Sequence, residues 1–140
     1  MPYAMSDYLE SGLLNMLLRD GTFSKPATVA IALCTAVPYE YQNGATIPEL
    51  PNTGGYARKI NCSGDAFWNQ NVHGSGSNIA ETLWANASAN WGYVSGVALV
   101  DSATYGAGNV LFYGALNNPR IVLNGDAFKF NAGSLTVILD

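Results

Sequence analysis

Two stretches decide the fold of this chain: Val97-Ala98-Leu99-Val100 and Val110-Leu111-Phe112-Tyr113. Both are apolar at successive positions, so an extended backbone would be greasy on each face, and such strands belong in the middle of a sheet. Working outward, Val29, Ile31 and Leu33 alternate with Thr28, Ala30, Ala32 and Cys34, a strand with one bulky face and one small one. Further strand signals fall at Tyr56 to Cys62, Ala66 to Asn69, Ile79 to Trp84, Tyr93 to Val100, Asn109 to Leu116, Arg120 to Leu123, Ala127 to Phe130 and Leu135 to Leu139. Gly and Asn clusters separate most of them, as at Gly74-Ser75-Gly76-Ser77-Asn78 and Asn124-Gly125-Asp126. Phe128-Lys129-Phe130 alternates cleanly and predicts one wet face. Eight to nine short antiparallel strands with turn signals between them predict a mainly β protein, a single β-sandwich or jelly-roll-like domain.

One N-terminal amphipathic helix precedes these strands. Asp7 with Glu10 three residues on resembles a capping box, Leu9, Leu13, Leu14, Leu17 and Leu18 recur at helical spacing, and Gly21 stops the run. The spacing predicts a helix over 7–19, with residues 1–6 as an arm and 27–139 as the sandwich of a single domain spanning 1–140. Met16 widens the apolar stripe, so the helix lies against its own sheet or docks on a neighbouring subunit. The stretch 37–55 holds Pro38, Pro48, Pro51, Gly44 and Gly54-Gly55 with no apolar period, and reads as a long loop. Loops of this length in a compact domain are usually functional or ordered by a partner. Its Tyr39, Tyr41, Ile47 and Leu50 need somewhere to bury. The terminal strand Leu135 to Leu139 is so apolar that its removal should destroy the fold.

Charged residues make up 11 % of the chain, well under the roughly 25 % of an average soluble protein. That deficit reads against intrinsic disorder, a coiled coil and a highly charged solubilising surface, and the 15 Gly and 14 Asn exclude a long helix bundle. Net charge is −4 and the six basic residues are scattered, so no basic stripe exists for nucleic acid. No apolar run is long enough to span a membrane, and the N-terminus lacks the basic region of a secretory signal. Cys34 and Cys62 could form one bridge, but both lie in strand-like stretches and read as small buried thiols.

Chemistry is sparse. His73 is the lone histidine and sits in a turn, and neither Cys34 nor Ser75 stands at a motif spacing from it. Gly74-Ser75-Gly76-Ser77 lacks the Lys and the following helix of a phosphate loop and reads as linker. Three Cys and His residues in all are too few and too scattered for zinc, and Asp65, Asp101 and Asp126 are isolated, so no metal and no cofactor is expected. A catalytic carboxylate pair among Asp65, Glu81, Asp101 and Asp126 has no positive support, and the chain reads as not an enzyme. The aromatic residues, set among amides and glycines, read as core or as a neutral contact surface. Trp68, Trp84 and Trp91 are the candidate sugar platform if the domain binds carbohydrate.

The run from Ser6-Asp7-Tyr8-Leu9-Glu10 to Leu17-Leu18-Arg19, then Phe23, Pro26 and Val29-Ala30-Ile31-Ala32-Leu33-Cys34-Thr35, resembles a family of small tailed-bacteriophage virion proteins, often labelled tail-fibre-like. Gly54-Gly55-Tyr56-Ala57-Arg58-Lys59, Trp91-Gly92, Leu99-Val100-Asp101 and Gly108-Asn109-Val110-Leu111-Phe112-Tyr113-Gly114 carry the same likeness, which covers nearly the whole chain. The resemblance implies a virion structural protein made in the host bacterial cytoplasm. Head cement or decoration, binding the major capsid protein lattice, is put first. A tail or tail-fibre component is the alternative, and a carbohydrate-binding sandwich a further one. The implied partners are the capsid protein or another virion protein and further copies of the chain as dimer or trimer, with no nucleic acid and no membrane. Contacts are expected from Pro2, Tyr3, Leu9, Leu13, Tyr39, Tyr41, Ile47 and Leu50. Repeated on a lattice, modest neutral contacts of this kind become lasting and survive salt.

Overall fold

A computed structural model describes residues 2–69 and 72–139. Over these residues the protein is mainly β with one helix. In chain order the elements are β1 (Pro2–Met5), α1 (Asp7–Leu18), β2 (Ala30–Cys34), β3 (Ser75–Ser77), β4 (Thr82–Leu83), β5 (Gly92–Val100), β6 (Val110–Val122), β7 (Lys129–Phe130) and β8 (Thr136–Ile138). Six strands run in the order β2-β5-β6-β1-β8-β3, and β4 pairs with β7 in a separate ribbon. The two stretches greasy on both faces are central: β5 pairs with β2 on one side and β6 on the other, and β6 with β5 and β1.

Alternation on β2 sorts the interior into two clusters, one on each side of the sheet. Ile31 and Leu33 point into the larger one with Val94, Val97, Leu99, Val122, Leu135, Trp84, Trp91 and Phe128. Ala30, Ala32 and Cys34 point into a smaller one with Ala98, Val100, Val110 and Ile47. Every residue of β2 is buried, because the long loop covers the small face. The larger cluster takes side chains from β2, β5 and β6, from Leu135 just before β8 and from Phe130 of the β4–β7 ribbon, giving a sandwich-like body whose second layer is small.

Several expectations are corrected. The arm at 1–6 contains a strand: the backbone of Pro2 and Tyr3 pairs with β8, and that of Ala4 and Met5 pairs with β6. The β1–β8 pairing is parallel, so the sheet is not wholly antiparallel. Gly74–Ser77 is no linker; it supplies β3, paired with β8 through Ser75, Gly76 and Ser77. Hydropathy is silent about such a strand, since Ser and Gly add no apolar period. Asn109 to Leu116 and Arg120 to Leu123 belong to one 13-residue strand, β6, which continues through Asn117-Asn118-Pro119. Tyr56 to Cys62 and Ala66 to Asn69 contribute single bridges, Ile31 to Lys59 and Trp68 to Asn78, and form no strand. There Asn61 turns left-handed at φ 60°, which interrupts extended pairing.

The helix is capped by Ser6, one residue before the expected start. Its Oγ accepts from the Leu9 N–H at 3.2 Å and donates to the Val110 carbonyl, so a fully buried hydroxyl ties the helix to β6. The helix ends at Leu18, with the Arg19 N–H donating to the Asn15 carbonyl.

Candidate contact surface

The loop 37–55 is held by a polar clasp. Arg58, buried, donates from Nε and Nη2 to the two oxygens of Glu49, each at 2.9 Å, a bidentate pair. Its remaining donors reach the carbonyls of Ser102, Ala107 and Gly44. The guanidinium thus stitches the loop to the β5–β6 connection, and all five contacts satisfy a charge taken out of water. The Tyr56 hydroxyl donates to Glu49 at 2.8 Å and accepts from the Leu33 N–H, while the Tyr105 hydroxyl donates to the Leu50 carbonyl. Burial, reinforced by Glu49, pushes the Tyr56 phenol far above its ordinary range. The same burial pushes the Cys34 thiol up to about 12, with Glu49 adding and Arg58 opposing. Cys62 rises to about 11, again mainly from burial. Both cysteines are free, buried and protonated at neutral pH.

From this clasp the loop presents Tyr39 and Tyr41, 63 % and 71 % exposed, their rings stacked at 5.6 Å and 2°. The pair is pre-formed. The Tyr39 N–H donates to the Gln42 side chain, whose amide donates to the Thr46 carbonyl, and the Asp7 N–H donates to the Glu40 carbonyl. That last bond joins the loop to the start of α1. Tyr113 lies in the same depression. Partial burial, and then the carboxylates of Glu40, Glu10 and Asp7, raise its phenol above the usual value.

On α1, only Leu9 is buried and Leu13 is half-buried. Phe23 folds back against Gly12, where a Cβ would meet its ring at 2.4 Å, and its ring lies 6.0 Å from that of Tyr8. The opposite stripe is bare: Leu14, Leu17 and Leu18 are 57 %, 70 % and 78 % exposed. Asp7 and Glu10, both exposed, continue that stripe toward the N-terminus, at the helical spacings of three, four and seven that share one face.

Of the residues expected to make contacts, Tyr39 and Tyr41 are on the surface together. Leu9, Ile47 and Leu50 lie in the protein's own interior and leave the set, because the loop has a sheet face to cover and needs no partner to bury them. The side chains of Pro2 and Tyr3 lie outside the described residues. The outer face of the helix carries Leu14, Leu17 and Leu18 in place of Leu9 and Leu13. The breadth of the leucine stripe signalled a second apolar face; which part faced the sheet depends on Phe23 and β6.

As a flat sugar platform, Trp84 and Trp91 are corrected. Both rings are buried, and their Nε1 atoms donate to the carbonyls of Ala57 and Gly54. Trp68 is half-buried, donates to the Cys62 carbonyl and lines an open groove of about 560 Å³ with Val29, Phe112 and Val137. His73 is exposed in a two-residue turn between Val72 and Ser75. Asp101 accepts from the Asn109 backbone and side chain, Asp126 from the Leu123 N–H, and Glu81 pairs with Lys129, so these three carboxylates serve separate turns and a surface pair.

A family model described as podophage GP4 fiber I protein gp80 matches residues 4–138, almost the whole chain. No curated protein matches it.

Proposed function

From the premise that the chain belongs to the podophage GP4 fiber I protein gp80 family, we propose that it is a non-enzymatic structural component of the virion, built into or onto the fibre. The family match over residues 4–138 carries this reading, and it favours the tail-fibre alternative over the capsid-cement role that the sequence put first. The fold supports it physically. A sheet with both faces covered, and a long loop clasped by a buried ion pair, make a stiff body with little to rearrange on assembly. Stacked tyrosines on that loop offer a rigid aromatic contact of the kind that anchors protein interfaces.

Labelling the protein on intact particles tests the location: density on the fibre is expected, and label on the head surface alone would overturn the fibre reading. The contact is tested by Tyr39→Ser together with Tyr41→Ser. Incorporation into particles should fall at least tenfold while the melting temperature of the isolated protein stays within a degree or two. A matching loss of both would make the tyrosines part of the fold.

A further inference from the structure

The depression beside the stacked tyrosines has aromatic walls and charge of one sign. Tyr39, Tyr41 and Tyr113 line it together with Val37, Pro38 and Glu40. Stacking at 2° occupies one face of the Tyr39 and Tyr41 rings and leaves each its other face, and the bonds through Gln42 hold the loop beneath them. The bond from the Asp7 N–H to the Glu40 carbonyl brings the first turn of α1 alongside. The charges that bear on Tyr113 are those of Glu40, Glu10 and Asp7, and all are negative. These three carboxylates are exposed, and among the described residues none is hydrogen-bonded or ion-paired. The two ion pairs there are Arg58 with Glu49 and Lys129 with Glu81, so Arg19 and Lys25 neutralise none of the three.

Resting on the reading that Tyr39 and Tyr41 make the virion contact, we propose that this depression receives a basic side chain, arginine before lysine, from the neighbouring virion protein. The face of an aromatic ring is negative, so rings and carboxylates both attract a cation. An acidic side chain would be repelled by the carboxylates, and an apolar one would gain nothing from them. A guanidinium satisfies both features at once, because its plane lies flat on a tyrosine ring while its N–H groups reach outward to carboxylate oxygens. An ammonium is a point charge and uses the flat ring less well, which sets the order of preference.

Titration of the purified chain with the peptide Gly-Arg-Gly-Arg-Gly, followed by NMR, tests this. The ring signals of Tyr39, Tyr41 and Tyr113 should shift saturably, less strongly with lysine in place of arginine, and not at all with glutamine. An equal response to the glutamine peptide, a response that spares these rings, or none, would overturn the proposal. Glu40→Lys keeps the backbone carbonyl that holds α1, so the melting temperature should stay unchanged while peptide affinity falls about tenfold. Tyr39→Leu with Tyr41→Leu keeps apolar bulk without the aromatic faces and should weaken the peptide about fivefold. Undiminished affinity in either variant would overturn the cation site. On particles, a loss of incorporation with Tyr39→Ser and Tyr41→Ser but not with Glu40→Lys would keep the tyrosine contact and remove the cation from it. No loss with either would remove both. Self-association of the chain that Glu40→Lys abolishes in sedimentation would make a second copy the occupant and overturn the assignment to a neighbouring protein.

Discussion

The segment 37–55 has almost no regular structure, yet it buries Ile47 and Leu50 and is bound through Glu49 to a guanidinium with five hydrogen bonds. Helix α1 is regular for twelve residues and buries one of them. Regularity and integration are thus separate properties. A backbone that satisfies itself, as a helix does, can ride on the surface, whereas an irregular backbone under a sheet must find its partners among side chains and distant carbonyls. The loop is part of the core wall, and the helix is an appendage fixed mainly at its cap.

That contrast can be broken by experiment. Arg58→Met strands the Glu49 carboxylate and leaves three carbonyls without their donor, and should cost about 3–5 kcal/mol in urea unfolding; a loss below about 1 kcal/mol would mean that the clasp is ornamental. Alkali probes the same region. The Cys34 thiol ionises near 9.0 when unfolded and near 12 when folded, so its stabilising contribution is complete below pH 9 and is lost as pH climbs toward 12. Tyr56, raised further, extends the fall. Stability should be level from pH 7 to 9 and then drop by about 1.4 kcal/mol per pH unit for each such group, with a shallower drop in Cys34→Ala; melts across a pH series show which holds. On the helix side, Ser6→Ala removes both the cap and the bond to Val110 and should cost about 1–2 kcal/mol, the largest effect of any single polar change on α1. Smallest of all, Leu17→Ser in dilute solution should change monomer stability by no more than about 0.5 kcal/mol. A large loss there would mean that the helix is packed far more tightly than its exposure indicates.

Much of the fold was legible because it depends on local pattern. The alternation at 28–34 read correctly down to the small face of β2, and the two-sided apolar runs fell in the centre of the sheet. What escaped depends on partners far along the chain. Nothing in Pro2-Tyr3-Ala4-Met5 says that it will be held between β6 and β8, and Ser75-Gly76-Ser77 gives no hydropathy signal at all. Arg58 escaped for a different reason: arginine is a surface residue by default, and only the convergence of Glu49 with three carbonyls reverses that. The contact surface was half legible. Tyr39 and Tyr41 announced themselves as aromatic side chains in a turn-rich stretch, while Ile47 and Leu50, equally conspicuous there, turned inward.

The parallel pairing of β1 with β8 bears on how the molecule carries mechanical load. Because the two strands point the same way, tension applied through residues 2 and 138 drags β1 toward its own beginning and β8 toward its own end, sliding one along the other. The hydrogen bonds between them are then strained together in shear, whereas peeling would break them one at a time.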